Sequence, residues 1–240
     1  MTRPINPARG RLFGVGLGPG DPDLMTLRAA RLIENATAVA YPALAGGESF
    51  ARSIAAHLIS PQAQEIVMDV PMTVERSPAQ AAYDLGATRI SEALDRGTDE
   101  VCLCEGDPFF YGSFLYLFAR LADRYEGEVG PGVTRDSAWA ARHGEPVRAG
   151  QERLTILPGP LPEGELRDRI GGAEAVAIMK VGRHMAKIRA VFDGLGLLHR
   201  AVYVARVGLA DEVVCPLAEA PKVAPYFSMI LMNKGDDPWL

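Results

Sequence analysis

Residues 12–22 read LFGVGLGPGDP, and this order of residues is the clearest guide to the fold. An apolar run passes directly into a turn rich in glycine and proline, as at the end of a buried strand. Apolar side chains then recur at helical spacing up to Asn35, with Asp23 or Thr26 as the capping residue. Residues 36–41 return to strand character. Strand, helix and strand form the unit from which parallel sheets are built, so the sequence predicts an α/β fold.

The same alternation continues along the N-terminal half. The pattern predicts helices over 49–58, 78–96 and 113–125, and strands over 65–70 and 100–104. A turn-rich stretch follows at 128–134. We place a domain boundary there, which divides the chain into residues 1–130 and residues 131–240.

The C-terminal half predicts a second sheet of a different kind. Strands are expected over 155–157, 175–179, 201–204 and 227–232, and helices over 163–170 and 183–195. Near the C-terminus strands follow one another without helices, which indicates mixed or antiparallel pairing. The expected architecture is therefore two α/β domains with the active-site cleft between them, the first sheet mainly parallel and the second mixed.

Composition restricts the possible classes of function. Of the 240 residues, 48% are hydrophobic and 23% charged, which is ordinary for a globular protein. The net charge of -5 offers no general attraction for nucleic acid or anionic lipid. No apolar run is long enough to cross a membrane, and an apolar export segment is not seen at the N-terminus. With three cysteines, an odd number, a reducing cytoplasm fits best.

Common metal and nucleophile signatures are missing from the sequence. The four histidines are scattered and show no ligand spacing with the cysteines, so no protein-bound metal is expected. Neither the Gly-x-Ser-x-Gly nucleophile elbow nor the Gly-Lys-Ser/Thr phosphate loop occurs. These absences disfavour serine hydrolase and nucleotide triphosphatase chemistry.

Two loops that follow predicted strands carry the main functional signal. In the first, within GVGLGPGDP at 14–22, glycines let the backbone approach a ligand. Pro19 removes an amide donor, however, and the spacing of these glycines is not that of the dinucleotide-binding fingerprint. The second, CEGDPFFYG at 104–112, places Glu105 and Asp107 at the carboxyl end of a strand, where α/β proteins bind ligands. A tight turn and an Asx turn are the respective structural alternatives.

Three motifs stand in order along the chain, at 14–22, at 105–112 and in PGVT at 131–134. Together they resemble the tetrapyrrole (class III) S-adenosylmethionine-dependent methyltransferases, and the resemblance spans nearly the whole chain. Within that family, CEGDP at 104–108, MKVGRH at 179–184 and PYFS at 225–228 are similar to the precorrin-2 C(20)-methyltransferases of cobalamin synthesis.

The resemblance implies a cofactor, an activity and a set of contacts. The cofactor is S-adenosylmethionine, released as S-adenosylhomocysteine, and the assembly is a homodimer. The activity is methyl transfer to C(20) of precorrin-2, or of its cobalt complex, to give precorrin-3A. Asp107 would accept hydrogen bonds from the ribose or the amino acid end of the cofactor. The implied cofactor contacts are Pro19, Gly106, Asp107, Thr134, Arg135, Met179, Ala205, Arg206, Tyr226 and Phe227.

The implied tetrapyrrole substrate carries many carboxylates, so a matching site needs cationic donors. A basic cluster at 180–189 supplies the candidates Lys180, Arg183 and His184, and a solvated helix face is its alternative interpretation. Tyr41 and Arg52 are further candidates for substrate contact. For the proton that leaves after methylation, the candidate acceptors are Glu105 and Tyr111, although Glu105 can equally cap a loop amide. Those two interpretations of Glu105 stay open at this point.

The chain departs from the family pattern at Arg135-Asp136, where relatives usually carry small or apolar residues. A contact made by the backbone would survive this change, whereas a contact that needs the side chain would weaken cofactor binding or turnover. Two alternative functions are therefore kept. One is a methyltransferase of the same family with another position specificity, and the other is a non-catalytic protein that binds a nucleotide-like ligand.

Overall fold

The computed structural model describes residues 9–44, 47–71, 76–147, 151–225 and 227–234. By its internal contacts the chain divides into two compact units, Met1–Arg135 and Asp136–Leu240. The predicted domain boundary between residues 130 and 131 stays a prediction, because a division by packing does not test where independent folding units meet.

The N-terminal unit contains a fully parallel, five-stranded sheet. Its elements are β1 (Leu12–Gly16), α1 (Leu27–Glu34), β2 (Ala38–Ala43), α2 (Phe50–Ala55), β3 (Gln64–Asp69), α3 (Arg76–Asp95), β4 (Glu100–Cys104), α4 (Phe114–Leu121) and β5 (Gly127–Gly130). The strands pair in the order β3-β2-β4-β1-β5, with β1 between β4 and β5. The predicted α/β fold with a parallel first sheet is confirmed.

Helix α1 begins and ends where short polar side chains satisfy its terminal backbone groups. Thr26 Oγ1 accepts a hydrogen bond from the Ala29 amide at 3.1 Å, so Thr26 is the N-cap. At the other end the Asn35 side-chain amide donates to the Arg31 carbonyl at 2.7 Å. Of the two predicted capping residues, the structure therefore uses Thr26 for α1.

Strand β5 corrects the sequence analysis, which expects only turns after residue 128. The segment has two glycines among its four residues and lacks the apolar run that marks a buried strand. It is a strand because its backbone pairs with β1. A Cβ on Gly127 would lie 2.3 Å from the Leu12 carbonyl oxygen, so the close pairing requires glycine there.

The C-terminal unit contains a mixed five-stranded sheet, as predicted. Its elements are β6 (Leu154–Pro158), α6 (Glu163–Gly172), β7 (Ala175–Met179), α7 (Met185–Gly194), β8 (Ala201–Ala205), β9 (Val213–Pro216) and β10 (Ser228–Asn233), and α5 (Arg135–His143) precedes them. The order is β6-β7-β10-β8-β9. Among the described strands of this sheet, only β6 and β7 pair in parallel.

Helix α5 and strand β9 are not expected from the sequence. Helix α5 is short and polar, and β9 is a four-residue edge strand whose Val213 and Val214 are partly exposed. Neither gives a strong periodic signal, because one is too polar and the other too short. Strand β9 forms through its antiparallel pairing with β8, and the end of α5 contacts Glu212, 69 residues further along the chain from His143.

The packing of each unit explains its layers. In the N-terminal unit, apolar side chains fill both faces of the sheet: one face includes Ile90 and Leu117, the other Ile33 and Ile54. In the C-terminal unit, Ile178, Tyr203 and Phe192 belong to one cluster that packs α7 against the sheet. Among the described residues, no helix combines the length and the apolar character that crossing a membrane requires.

Glu100 is a buried acid at the start of β4. Its side chain is fully enclosed, and neither carboxyl oxygen has a hydrogen-bond partner in the part of the chain that the structure describes. Burial raises the pKa of Glu100 to about 7, against a weaker opposing effect of the Arg96 charge. The folded protein therefore favours the protonated acid at mildly acidic pH.

Replacing Glu100 with methionine should stabilise the protein above neutral pH. The pKa of this acid is higher in the folded than in the unfolded chain. The free energy of unfolding therefore falls as pH rises from the unfolded pKa to about 7. Since one pKa unit is worth about 1.4 kcal/mol, that loss is on the order of 3 kcal/mol by pH 8. Urea unfolding of both proteins from pH 5 to pH 8 measures it. Parallel stability profiles for the two proteins would contradict the assignment.

Candidate active site

Three loops meet at the carboxyl edge of the parallel sheet. They follow β1, β4 and β5, which are neighbours in the sheet, and they comprise residues 17–21, 105–113 and 131–134. These are the three sequence motifs, which lie far apart along the chain. In open α/β sheets this edge is where ligands bind.

The first two loops are joined by backbone hydrogen bonds. The Gly106 amide donates to the Gly18 carbonyl at 2.7 Å, and the Gly18 amide donates to the Gly106 carbonyl at 3.3 Å. Both residues have positive φ, 78° at Gly18 and 66° at Gly106, a conformation that glycine adopts without strain. Pro19 therefore lies next to a fixed junction rather than in an independent turn.

Asp107 holds the second loop together and ties it to the third. Its Oδ1 accepts hydrogen bonds from the Phe109 and Phe110 amides, each at 2.9 Å, and its Oδ2 accepts one from the Gly132 amide at 3.0 Å. The Asx turn considered as an alternative is thus present, and it is extended by the bond to Gly132. A cofactor contact of Asp107 stays a prediction, and its bracing of both loops is observed.

Backbone lies against backbone where the three loops meet. A Cβ on Gly132 would lie 2.0 Å from the Gly106 carbonyl oxygen, and one on Gly16 would lie 2.6 Å from the Gly132 nitrogen. A Cβ on Gly106 would meet nothing within 4 Å. There is thus no room for a side chain at Gly16 or Gly132, whereas the space beside Gly106 is open. A ligand in that space could contact the backbone groups of the loops directly.

Glu105 is a half-buried acid at this edge. Its carboxylate accepts a hydrogen bond from the Ala51 amide in the first turn of α2, and the charge of Arg135 acts on it. Burial raises the pKa of Glu105, and Arg135 and the Ala51 amide oppose this rise only in part. The amide bound by Glu105 thus belongs to a helix and not to a loop, and the pKa of Glu105 is shifted in the direction that suits a proton acceptor.

Tyr111 lies further along the same loop and is exposed on the surface. Its ring packs edge-on against Phe110, with 5.4 Å between the ring centres. Its φ of 58° is unusual for a residue with a side chain. The next residue is Gly112, where a Cβ would lie 2.5 Å from the Asp107 carbonyl oxygen, so the loop is narrow at this point.

The C-terminal unit gathers most of the other predicted cofactor contacts at one edge of its sheet. Met179 ends β7 and Ala205 ends β8, and the antiparallel β10 begins between them, so Phe227 lies at the same edge. The Arg206 amide donates to the Phe227 carbonyl at 2.9 Å. Tyr226 lies outside the described residues.

Part of the predicted basic cluster is used for structure. Lys187 donates to the Leu161 carbonyl, and Arg189 donates to the Ala220 carbonyl at 2.9 Å. Arg183 is exposed, and His184 is half-buried with a pKa lowered first by burial and then by the charges of Lys187 and Arg183. The cluster therefore supplies fewer cations for a ligand than its composition indicates.

Tyr41 and Arg52 are brought together by a residue that the sequence analysis does not single out. Arg52 binds Glu65 with both prongs, Nε at 2.7 Å and Nη2 at 2.9 Å, and the Tyr41 hydroxyl donates to the same carboxylate. Arg52 holds the pKa of Glu65 below its usual value, whereas burial and then Glu65 raise that of Tyr41. Only the pairing of β2 with β3 could have revealed Glu65.

Three described residues other than glycine have positive φ, and all three are predicted site residues. They are Tyr111 at 58°, Lys180 at 57° and Arg206 at 54°. Each lies in the segment that follows a strand end. A left-handed backbone costs on the order of 1 kcal/mol for a residue with a Cβ, and such strain concentrates at functional sites. In the described parts of the chain, no group of three metal-binding side chains is assembled.

The chain that forms this parallel sheet with glycine loops, and then the mixed sheet, matches the sequence model of a protein family. The model of the tetrapyrrole (corrin/porphyrin) methylases matches residues 11–221. The chain belongs to this family.

Curated relatives include proteins of cobalamin synthesis. Precorrin-2 C(20)-methyltransferase of Sinorhizobium sp is 39% identical over 237 residues, covering 95% of this chain and 97% of the relative. The cobalamin biosynthesis protein CobIJ of Mycobacterium tuberculosis is 40% identical over 237 residues, covering 95% of this chain and 47% of the relative. This chain therefore spans about half the length of the CobIJ relatives.

Solved structures share the fold. Cobalt precorrin-4 methyltransferase CbiF superposes with a TM-score of 0.73 at 22% identity, covering 93% of this chain and 94% of that one. A uroporphyrin-III C-methyl transferase of Thermus thermophilus, complexed with S-adenosyl homocysteine, has a TM-score of 0.65 at 22% identity, with 94% and 98% covered.

Proposed function

We propose that this chain transfers a methyl group from S-adenosylmethionine to C(20) of precorrin-2, or of cobalt-precorrin-2, in cobalamin synthesis. The observation that carries this proposal is the meeting of the three separated motifs at one edge, through the Gly18–Gly106 and Asp107–Gly132 hydrogen bonds. The Sinorhizobium relative, similar over nearly its whole length, supports the choice of substrate and position. The expected product is precorrin-3A or its cobalt form.

The residues present fit such a cofactor. The open face at Gly106, beside backbone packed too tightly for any Cβ at Gly132, suits a ligand held by peptide groups. In the N-terminal unit the candidate contacts are Pro19, Gly106, Asp107, Thr134 and Arg135, and in the C-terminal unit they are Met179, Ala205, Arg206, Tyr226 and Phe227. When bound, S-adenosylmethionine supplies an electrophilic methyl group on a sulfonium centre.

The protein's part in the reaction is to align the partners and to receive a proton. The residues that would hold the cofactor and the substrate would have to bring the two reacting carbon atoms to about 3–3.5 Å from each other. The substrate carbon that gained the methyl group would then have a proton to lose, and the protein would have to accept it. Glu105 is our candidate acceptor, directly or through water, with Tyr111 as the other candidate.

Binding of the acidic substrate is assigned to cations of the C-terminal unit. Arg183 and Lys180 are exposed next to the end of β7, and His184 lies beside them. A guanidinium binds a carboxylate through two parallel hydrogen bonds, so Arg183 is the principal candidate. Tyr41 and Arg52 are further candidates, and their recruitment requires that a substrate carboxylate replace Glu65.

Replacing Arg183 with alanine should raise the KM for the tetrapyrrole about tenfold and leave the Kd for S-adenosylhomocysteine within twofold. The loss of a charge-assisted hydrogen bond accounts for an effect of this size. Steady-state kinetics and calorimetry measure the two quantities. The exposed Arg31 of α1, replaced with alanine, is the matched control. Equal changes in both quantities would assign Arg183 to structure instead.

We also infer a homodimer. Leu115 and Phe118 lie three residues apart on α4 and are exposed, and the Phe109 ring lies 5.0 Å from that of Phe118. Exposed apolar side chains that adjoin one another favour an interface. A second copy presenting the same surface would cover them by two-fold symmetry. Light scattering on the purified protein measures the assembly mass.

A cytoplasmic location belongs to the same proposal. Cys102 and Cys104 are buried free thiols, and Cys215 is a half-buried free thiol. Free thiols of this kind are typical of a reducing compartment, and they support the location without a role in the reaction.

The decisive experiment is an anaerobic incubation with precorrin-2, with and without cobalt, and methyl-labelled S-adenosylmethionine. Mass spectrometry and carbon NMR then locate the label. Label on C(20) supports the proposal, and the preferred substrate defines the cobalt requirement. Label on another carbon indicates a different position specificity. Binding of S-adenosylhomocysteine without transfer indicates a non-catalytic protein.

A further inference from the structure

A nearly enclosed carboxylate in the C-terminal unit has no part in the chemistry described above. Glu212 stands directly before β9, and its side chain is only 11% exposed. Arg142 Nε lies 2.9 Å from Oε2, His143 Nε2 lies 2.9 Å from Oε1, and the Gly208 amide donates to Oε2 at 2.7 Å. A carboxylate removed from water to this degree is stable only with such partners.

The partners of Glu212 come from two separate elements. Arg142 and His143 form the last turn of α5, whereas Gly208 belongs to the loop that connects β8 with β9. Glu212 therefore joins the end of a helix to a hairpin loop. We call these four residues, Arg142, His143, Gly208 and Glu212, the α5 clamp.

The charge state of Glu212 is fixed by its surroundings. Burial favours the neutral acid, but the Gly208 amide, His143 and Arg142 together hold the pKa of Glu212 below its ordinary value. The His143 ring is itself oriented, because it packs against Trp139 with 5.6 Å between ring centres. The clamp thus differs from an exposed ion pair, which contributes about 0–1 kcal/mol.

The clamped loop carries a strained residue of the proposed site. Arg206 begins the loop with a left-handed φ of 54°. Its amide donates to the Phe227 carbonyl at 2.9 Å, and its Nε lies 2.8 Å from Asp211 Oδ2. The loop is therefore fixed at Arg206 by the Phe227 carbonyl and at Glu212 by α5, and the Gly208–Glu212 hydrogen bond closes the loop on itself. Strained backbone persists only where the surrounding structure holds it, and here the clamp supplies one of the two attachments.

We propose that Glu212 is a positioning residue, which through the α5 clamp holds the 206–212 loop so that Arg206 can contact the cofactor. The inference rests on the proposed function, because Arg206 matters only if this edge binds S-adenosylmethionine. Its first step, the fixing of the loop, is independent of any ligand.

The test uses Glu212→Gln, which keeps the size of the side chain and removes its charge. Hydrogen exchange of residues 206–212 in the ligand-free full chain is expected to speed up about tenfold. The Kd for S-adenosylhomocysteine and the KM for S-adenosylmethionine should both rise about tenfold, with kcat within threefold. Glu212→Asp, which keeps the charge, should restore part of the affinity. Glu219→Gln, at an exposed acid of the same unit, is the matched control.

The outcomes separate the clamp from the proposed function. Unchanged exchange in the 206–212 loop overturns the proposal whatever the protein catalyses. Faster exchange with unchanged affinity and KM overturns the positioning role. If the wild-type protein fails to bind S-adenosylhomocysteine, the proposed function and the cofactor role of Glu212 both fail. The exchange data would still show whether the α5 clamp fixes the loop. Should Glu212→Gln not fold, Arg142→Gln removes a single partner and is judged by the same criteria.

Discussion

Asp107→Ala is expected to lower the affinity for S-adenosylhomocysteine by about 100-fold or more. The substitution removes the acceptor of three backbone amides, those of Phe109, Phe110 and Gly132. Hydrogen bonds to a charged group contribute about 1.5–3 kcal/mol each, and tenfold in Kd corresponds to about 1.4 kcal/mol. Losing the shape of two loops at once therefore has a large effect even without direct contact to the cofactor. Calorimetry measures the Kd.

Asp107→Asn separates the two parts of this role. The amide oxygen can still accept from Phe109 and Phe110, but the amide nitrogen then faces the Gly132 amide, donor against donor. Its affinity should fall between those of the wild type and Asp107→Ala. The exposed Asp123, replaced with alanine, serves as the control. An unchanged Kd for Asp107→Ala would show that neither this loop nor the Asp107 carboxylate belongs to the cofactor site.

Glu105→Gln is expected to lower kcat by about 100-fold or more while the Kd for S-adenosylhomocysteine stays within threefold. Glutamine can still accept the hydrogen bond from the Ala51 amide, but it cannot take a proton. General base catalysis contributes about 10²–10⁴-fold to the rate. Because burial raises the pKa of Glu105, the wild-type kcat should fall on the acid side of neutrality as this group becomes protonated. The variant should lack that acid limb. Single-turnover kinetics over a pH series measures both effects.

The control for this variant is Glu126→Gln, at an exposed acid near β5 in the same unit. An unchanged kcat and pH profile in Glu105→Gln would leave Glu105 as the cap of α2 alone. A loss of affinity equal to the loss of kcat would show that the carboxylate shapes the loop and takes no proton.

The secondary structure could be predicted where it depends on the residue types of the segment itself. Thr26 and Asn35 bound α1 as expected, since short polar side chains satisfy helix ends locally. Strands β1 and β4 are apolar apart from Glu100, as buried parallel strands usually are. Strand β5 could not be predicted, because its residues become a strand only through β1, and Gly127 is selected by that contact and not by strand propensity.

The candidate site could be predicted as a set of positions but not as a set of contacts. Gly106 and Asp107 stand out in the sequence, yet no spacing shows that Asp107 reaches the Gly132 amide 25 residues further on. Glu65 cannot be singled out from the sequence, because its contact with Tyr41 depends on the register between β2 and β3. Glu212 gives no signal in the sequence, since its charged partners Arg142 and His143 lie on a helix that the pattern does not predict.

The position of β1 between β4 and β5 determines when the N-terminal sheet can be completed during synthesis. Among the described strands β1 is made first, but the strands on either side of it, β4 and β5, follow only at Glu100–Cys104 and Gly127–Gly130. Pairing of strands so far apart in sequence makes folding slow, because a long loop must close, at a cost in entropy, before the stabilising contacts between the strands can form. A nascent chain that stops short of Gly127 leaves one edge of β1 open. The candidate ligand-binding edge is thus completed only after β5 has been made, although its first loop, residues 17–21, precedes β2, β3, β4 and β5 in the chain.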